Sequence, residues 1–229
     1  MDFTNNVIIV TGASKGIGKS LIKVLNKYNA SVVAVYNNTL IKEDIDTFRC
    51  DIAKEEDVQN LFIYTLNKYK KIDAVINLAA YTDDCNIEQK TVDSFNKVLS
   101  VNVTGTFLMN KYASKYMSKG SVINISSMDA HNTYNFYAID YAASKAAIEN
   151  MTLNFAKHVK NIRFIALAPA WVNTDSVMNM DPKFLKEQLI ENNQKALLKK
   201  EDVALKIIEL MINDEYFSGS IIKMEDNYE

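Results

Sequence analysis

Proline and glycine are scarce in this sequence, with two prolines and six glycines among 229 residues. No stretch is rich in glycine, serine or proline, so nothing indicates a linker, an internal repeat or a low-complexity tract. The composition, 48% hydrophobic and 24% charged, is that of a globular protein. We therefore expect one domain over residues 1–229.

Cysteine is scarce as well, and the sequence has neither an excess of one charge nor a long apolar run. Cys50 and Cys85 stand alone without a CxxC pair, so we expect neither a disulfide framework nor a metal site. The formal net charge of -2 gives no basic excess for nucleic acid. No run approaches the roughly 18 apolar residues of a membrane helix, and the N-terminal VIIV lacks the flanks of a signal peptide. We expect a cytoplasmic protein without a nucleic-acid or membrane partner.

Strand-length apolar runs alternate with segments of helical period. The predicted strands cover 7–10, 31–36, 47–52, 73–79, 121–126, 162–168 and 220–224. The predicted helices cover 16–28, 55–69, 92–118, 140–159 and 201–213. The apolar runs are continuous and β-branched, as in strands buried on both faces. The order predicts an α/β fold: a doubly wound parallel sheet of Rossmann type, with about seven strands and helices on both faces. Ligands would bind beyond the carboxyl ends of the strands.

The first predicted strand is followed by TGASKGIG, residues 11–18, and then by a helical segment. Glycines allow a tight turn and a close approach of the backbone, and the helix N-terminus offers free amides to a phosphate. The spacing is G-x-x-x-G-x-G, which differs from the G-x-G-x-x-G dinucleotide fingerprint. A simple strand-to-helix turn would not need three glycines in seven residues. The loop therefore indicates a phosphate-binding turn.

A second motif, YAASK, places Tyr141 and Lys145 four residues apart. Its alanines and the following AAIENMTLNFAKH favour a helix, in which these two residues share one face. Such pairs are common on helix surfaces. Together with TGASKGIG, however, the motif resembles those of the short-chain dehydrogenase/reductase family, in its branch of ordinary length. The resemblance runs nearly end to end, in the family's order and spacing.

The resemblance extends to further residues. Asn102 in SVNVTGTF matches the family's structural and catalytic asparagine, and Ser127, fourteen residues before Tyr141, matches its serine. The implied catalytic set is Asn102, Ser127, Tyr141 and Lys145. The implied cofactor contacts are Gly12, Ser14, Lys15, Gly16, Ile17, Gly18, Tyr36, Asn37, Asp51, Ile52, Asn77, Ala79, Tyr141, Lys145, Pro169, Val172 and Thr174.

Three segments depart from the family's commonest form. NLAA at 77–80 stands where NNAG is usual, Ala170 replaces a glycine in PAWVNT, and the chain ends SGSIIKMEDNYE without a D-G-G turn. In the family, this turn takes part in a tetramer contact and helps to close one edge of the site. Its absence puts both features in question for this chain.

The implied reaction transfers a hydride between a nicotinamide cofactor and a ketone or secondary alcohol. Tyrosine has an ordinary pKa of about 10. A lysine ammonium one turn away and an oxidised nicotinamide would lower this pKa, which suits Tyr141 to general acid–base catalysis. The resemblance implies that Lys145 also bonds the ribose, that Ser127 donates to the substrate oxygen, and that Asn102 holds a water linked to Lys145. Alternatively, Ser127 caps a strand end and Asn102 bends its helix.

The residues after the second strand concern the choice between NADP(H) and NAD(H). A carboxylate there would bond the ribose 2′-hydroxyl and repel a 2′-phosphate. Tyr36, Asn37 and Asn38 occupy this region, and Lys15 could pair with a phosphate. The arginine that often follows this strand in the family is replaced by Asn37. NADP(H) is favoured, and NAD(H) stays open.

Substrate and partners depend on the resemblance alone. Residues 175–200 match the family's substrate lid, in which Met178 and Met180 could contact an apolar substrate. The loop at 129–140 offers Tyr134, Phe136 and Tyr137 as an aromatic wall or a subunit contact. We expect a small carbonyl or alcohol substrate and a homodimer or homotetramer formed by the helices at 92–118 and 140–159. His131, His158 and Trp171 receive no role.

Three alternatives to a general carbonyl reductase stay open. A 3-oxoacyl-(acyl-carrier-protein) reductase would present basic residues to its acidic partner, for which Lys183, Lys186, Lys199 and Lys200 are candidates. A non-catalytic sensor of the cofactor would usually have lost the tyrosine or the lysine, and this chain has both. Epimerisation or dehydration of a sugar nucleotide belongs to a longer branch with an added substrate domain.

Overall fold

Seven parallel strands form one sheet at the centre of the fold, in a computed structural model that describes residues 2–131 and 136–226. They are β1 (Val7–Thr11), β2 (Ser31–Tyr36), β3 (Asp46–Arg49), β4 (Ala74–Asn77), β5 (Gly120–Ile125), β6 (Ile162–Pro169) and β7 (Ile221–Met224). Their order across the sheet is β3-β2-β1-β4-β5-β6-β7. Strands β2 and β3 are added on one side of β1, and β4 to β7 are added on its other side. The strand order therefore reverses between β1 and β4, where sheets of this kind bind ligands.

Helices cover both faces of this sheet, which confirms the predicted doubly wound fold. They are α1 (Gly16–Lys27), α2 (Glu55–Tyr69), α3 (Val92–Leu99), α4 (Gly105–Tyr116), α5 (Ile139–His158), α6 (Asp175–Met178), α7 (Pro182–Glu191) and α8 (Lys200–Ile212). One core packs α1 and α8 against strand residues such as Ile8 and Val10. The other packs α2, α4 and the end of α5 against residues such as Ile9 and Val75. Successive strand residues therefore enter opposite cores, which explains their continuous apolar runs.

The helix predicted over 92–118 is interrupted. Between α3 and α4, Ser100–Thr104 forms a π-helical turn that contains Asn102. A Cβ atom on Gly105 would lie 2.6 Å from Cδ1 of Ile52, so this glycine lets α4 approach the segment that follows β3. π-helical turns inside α-helices are frequent at functional sites. Here the turn aims a buried side chain out of the helix.

The third strand is shorter than the predicted 47–52. The amide of Cys50 still donates to the carbonyl of Tyr36 (2.9 Å), but the chain then leaves the sheet. The Asp51 carboxylate accepts a hydrogen bond from the amide of Ala53 (3.2 Å), which closes a turn into α2. The end of β3 is therefore brought beside the end of β2.

Candidate active site

The glycine loop connects β1 to α1 at the edge of the sheet. Gly12 and Gly16 have φ angles of 65° and 54°, a region that favours glycine. A Cβ atom on Gly12 would lie 2.7 Å from the amide nitrogen of Ala79, and one on Gly18 would lie 2.2 Å from the carbonyl oxygen of Gly12. No side chain caps α1, so its first amides have no side-chain partner, and Gly16, Ile17 and Gly18 of this first turn line the cleft. The loop thus has the close packing and the free amides of a phosphate site.

Thr11 holds this loop against the end of β4, a role that the sequence-based site prediction missed. Its side chain is fully buried, and its hydroxyl oxygen accepts hydrogen bonds from the amides of Leu78 and Ala79, both at 3.1 Å. The signal in the sequence was a polar residue that ends an otherwise apolar strand. Thr11 fixes the distance between the glycine loop and the following strand end.

Ser127, Tyr141 and Lys145 meet at the carboxyl end of β5. The ammonium of Lys145 donates to the carbonyl of Ile125 (2.7 Å) and lies 5.2 Å from the centre of the Tyr141 ring. Ser127 lines the cleft together with Tyr141. Lys145 is buried, and Tyr141 is half-buried with its ring lining the cleft. The structure therefore brings together three of the four predicted catalytic side chains.

The protonation of this group differs from the expectation. Burial raises the pKa of Tyr141, and the Asp129 carboxylate acts in the same direction, although the nearby Ser127 side chain opposes them. Burial lowers the pKa of Lys145 to about 8, which weakens its charge just where it would act on the tyrosine. The predicted lowering of the Tyr141 pKa assumed a bound oxidised nicotinamide as a second positive charge. Without it, desolvation dominates.

Asn102 lies behind the cleft wall and does not line the cleft. Its amide oxygen accepts a hydrogen bond from the amide of Tyr81 (2.8 Å). Its nitrogen donates to the carbonyl of Tyr81 and to the hydroxyl of Ser144, both at 3.0 Å. Asn102 thus links the segment after β4 to α5, and the water assigned to it stays a prediction.

A cleft of about 840 Å³ runs along the carboxyl ends of the strands from Asn37 to Tyr141. All the predicted cofactor contacts except Asn77 line it. Asn77 is buried, and its amide donates to the side-chain oxygens of Asn110 (3.1 Å) and Asn124 (2.8 Å). As the last residue of β4, it points into the layer between the sheet and the helices. Asn77 does not line the cleft, and its contact with a cofactor stays a prediction.

Further residues line this cleft that sequence reasoning did not select. They include Tyr81, Asp84, Lys97, Asp129, Trp171 and Glu225. Glu225 comes from the unusual tail, which closes one edge of the site although the D-G-G turn is missing. His131 instead bonds the Glu149 carboxylate (2.8 Å).

The segment 175–200 folds over one end of the cleft. Its base is tied down by Gln194, whose amide group exchanges hydrogen bonds with the backbone of Trp171 at 2.9 and 3.0 Å. Met180 lines the cleft, whereas Met178 is 58% exposed. The Tyr137 ring stands edge-on to Phe184 at 5.7 Å, which links the loop before α5 to α7. Tyr134 lies outside the described residues.

A family model described as short chain dehydrogenase matches residues 6–184 of this chain. The chain belongs to the short-chain dehydrogenase/reductase family. It is an oxidoreductase, as its named dehydrogenase and reductase relatives are. Its YAASK and TGASKGIG segments both lie within the matched region.

Two relatives of this chain are named for different substrates. It is 33% identical over 227 residues to glucose 1-dehydrogenase 2 of Bacillus subtilis, a match that covers 89% of this chain and 86% of the relative. It is 28% identical over 243 residues to a 3-oxoacyl-(acyl-carrier-protein) reductase of Thermotoga maritima, covering 98% of each.

Solved structures with the same fold include a short chain dehydrogenase from Burkholderia cenocepacia in complex with NADP. The two match with a TM-score of 0.89 and 21% identity over 99% of each chain. The ligand-free aldohexose dehydrogenase of Thermoplasma acidophilum matches with a TM-score of 0.85 and 23% identity, over 97% of this chain and 93% of the other. At these identities the likeness concerns the fold.

The part of the chain that the structure describes, residues 2–131 and 136–226, lacks two features. No helix there is both long and apolar enough to span a membrane. No group of three or more His, Cys, Asp or Glu side chains there is arranged to hold a metal ion.

Proposed function

We propose that this family member is an NADP(H)-dependent reductase of a neutral ketone or aldehyde, or acts in reverse on a secondary alcohol, with Tyr141 as general acid and base. One observation carries the proposal: Ser127, Tyr141 and Lys145 lie together at one end of a cleft, and the glycine loop lines another part of the same cleft. A mere helix-surface pair of Tyr141 and Lys145 would be exposed and would lack the serine.

A nicotinamide dinucleotide fits the residues of this cleft. The uncapped start of α1 and the glycine loop would hold the pyrophosphate. Asp51 and Ile52 line the end where the adenine would lie, and Lys145 and Tyr141 line the end where the nicotinamide ribose would lie. The bound cofactor would supply or accept the hydride.

The protein's own part in the reaction is to orient a carbonyl and to move one proton. The raised pKa keeps Tyr141 protonated at neutral pH, so its hydroxyl can donate to the carbonyl oxygen as negative charge develops there. Ser127, beside the Tyr141 hydroxyl, would donate a second hydrogen bond to the same oxygen. Lys145 holds the cleft wall through Ile125 and supplies positive charge below its pKa of about 8.

NADP(H) is preferred in this proposal because no carboxylate follows β2. Tyr36, Asn37 and Asn38 line the cleft at this place, and Lys15 lies across from them at the start of α1. A positive charge here would attract a 2′-phosphate. NAD(H) would lack the partner for Lys15.

The charges at the substrate end favour a neutral substrate. Asp84, Asp129, Asp175 and Glu225 line the cleft there, and the described cations at this end are Lys97 and Lys145. Carboxylates accept hydrogen bonds from hydroxyl groups and repel anions. This supports a hydroxyl-bearing carbonyl compound over the acyl-carrier-protein alternative, whose acidic partner would need basic residues. The candidates Lys183, Lys186, Lys199 and Lys200 do not line the cleft.

We further propose that residues 175–200 act as a substrate lid, hinged where Gln194 binds Trp171. We also propose a homodimer or homotetramer. Phe107 on α4 and Leu153 on α5 are 42% and 43% exposed, and burial of such side chains would stabilise a contact between copies.

The test is a separate titration of the purified protein with NADPH and NADH, followed by cofactor-consumption assays over a panel of carbonyl compounds. Tighter NADPH binding and turnover of a neutral carbonyl support the proposal. Binding without turnover over the whole panel, including acyl-carrier-protein esters, would instead favour the sensor alternative. The absence of binding to either cofactor would refute the proposal.

A further inference from the structure

Strand β3 places an arginine at the end of β2, where the sequence itself has none. In the parallel pairing of these strands, Arg49 is the partner of Tyr36. The guanidinium Nε of Arg49 donates to the carbonyl of Asn37 at 3.3 Å. Residues 49 and 37 are twelve apart in the chain, and only the register of the two strands brings them together.

Arg49 lines a smaller cavity of about 310 Å³ that adjoins the main cleft. The two share Asn37 and Asp51, so the small cavity is a side branch at the adenine end. Lys54, the residue before α2, lines this branch as well. The branch therefore adjoins the part of the cleft where the adenosine ribose of a dinucleotide would lie.

The positive charges around this branch are not neutralised by ion pairs. Within the described part of the chain, Arg49 and Lys54 of this branch and Lys15 of the main cleft all lie farther than 4.0 Å from any carboxylate oxygen, the limit for a salt bridge. The two carboxylates of the branch bond backbone amides: Asp51 that of Ala53 (3.2 Å), and Asp57 that of Asp51 (2.9 Å). With Nε used by Asn37, the two terminal nitrogens of Arg49 offer a planar pair of donors, which matches two oxygens of a phosphate.

We propose that Arg49 binds the 2′-phosphate of NADP(H) and is the residue that distinguishes it from NAD(H), with Lys15 as a second, less directional charge. This inference rests on the proposed function, since it concerns the cofactor of the same site. The arginine is supplied by β3, and the residue after β2 contributes its carbonyl to hold the guanidinium in place.

The test measures binding by calorimetry and needs no turnover. The ligands are 2′,5′-ADP and 5′-AMP, which differ by the 2′-phosphate, and in addition NADPH and NADH. The variants are Arg49→Met, Arg49→Lys, and Lys160→Met as a control that removes one exposed positive charge before β6, at the amino ends of the strands and away from the cleft.

Arg49→Met should weaken binding of 2′,5′-ADP and NADPH roughly ten- to a hundredfold, the range of a hydrogen-bonded charge pair. It should leave 5′-AMP and NADH within about twofold. Arg49→Lys should recover only part of the loss because lysine cannot bind bidentately. Lys160→Met should change nothing.

Two results would overturn the inference alone: unchanged 2′,5′-ADP binding in Arg49→Met, or an equal loss for 2′,5′-ADP and 5′-AMP, which would show a structural role. A wild-type protein that binds NADH as tightly as NADPH would overturn it too, together with the proposed preference for NADP(H), while leaving the proposed proton transfer by Tyr141 standing. A wild-type protein that binds none of the four ligands would refute both.

Discussion

Replacing Lys90 with methionine should destabilise the fold strongly, although Lys90 does not line the predicted cofactor cleft. Its side chain is 4% exposed and lies 2.9 Å from the Asp140 carboxylate, which is fully buried. The Lys90 ammonium also bonds the carbonyl of Asp83. The pair ties the segment after β4 to the first turn of α5, where Asp140 also accepts the amide of Tyr141 (2.9 Å).

The expected loss follows from burial. Burial alone would lower the pKa of Lys90, but the hydrogen bond and charge of Asp140 outweigh it and the pKa is raised. Removing one partner of a buried pair leaves the other charge uncompensated, which costs about 3–5 kcal/mol. A domain of this size loses about 2–4 °C in Tm per kcal/mol, so Lys90→Met should melt about 6–20 °C lower.

Thermal and guanidinium unfolding measure this change. The matched control is Lys183→Met, which breaks the exposed pair of Lys183 and Glu187 (4.0 Å) and should cost less than about 1 kcal/mol. The double variant Lys90→Met, Asp140→Asn should lose less than Lys90→Met alone, because no charge is then stranded. Equal losses in Lys90→Met and Lys183→Met would refute the reasoning.

Two further predictions concern the glycine loop and the buried lysine. Gly12→Ala should lower the Tm more than Gly219→Ala does, and it should also weaken cofactor binding. Both glycines have positive φ, but an added Cβ meets backbone at 2.7 Å at Gly12 and only a side chain at 3.5 Å at Gly219. Equal Tm losses would contradict the close packing of the loop. The pKa of Lys145 falls to about 8 on folding, so the unfolded chain holds one more proton than the folded chain between about pH 8 and 10. As the pH rises through this range, the free energy of unfolding of the wild type should therefore increase by about 2–3 kcal/mol relative to that of Lys145→Met. Parallel stability curves from guanidinium unfolding would show that Lys145 is not desolvated.

The parts of the fold that could be predicted depend on local patterns. Continuous apolar runs identify strands buried on both faces, and the glycine loop follows from its own composition. Tyr141 and Lys145 share a helix face because of their spacing, and Ser127 was found through the family resemblance. These inferences needed no knowledge of which segments pack together.

The parts that could not be predicted depend on tertiary contacts. The π-helical turn at Asn102 is held by the backbone of Tyr81, and no periodicity in SVNVTGTF indicates it. Arg49 reaches Asn37 only through strand register, so a search along β2 finds no arginine. The direction of the Tyr141 pKa shift depends on burial, which residue spacing does not give.

The central claim, that Tyr141 transfers the proton in a cofactor-dependent reduction, is tested most directly by Tyr141→Phe. The measurement pairs NADPH binding with kcat/KM for the best carbonyl substrate of the panel, in wild type and variant. We expect a loss of at least about a hundredfold in kcat/KM with NADPH affinity unchanged, because the ring stays and only the proton-bearing hydroxyl is removed. Full activity in Tyr141→Phe would contradict it.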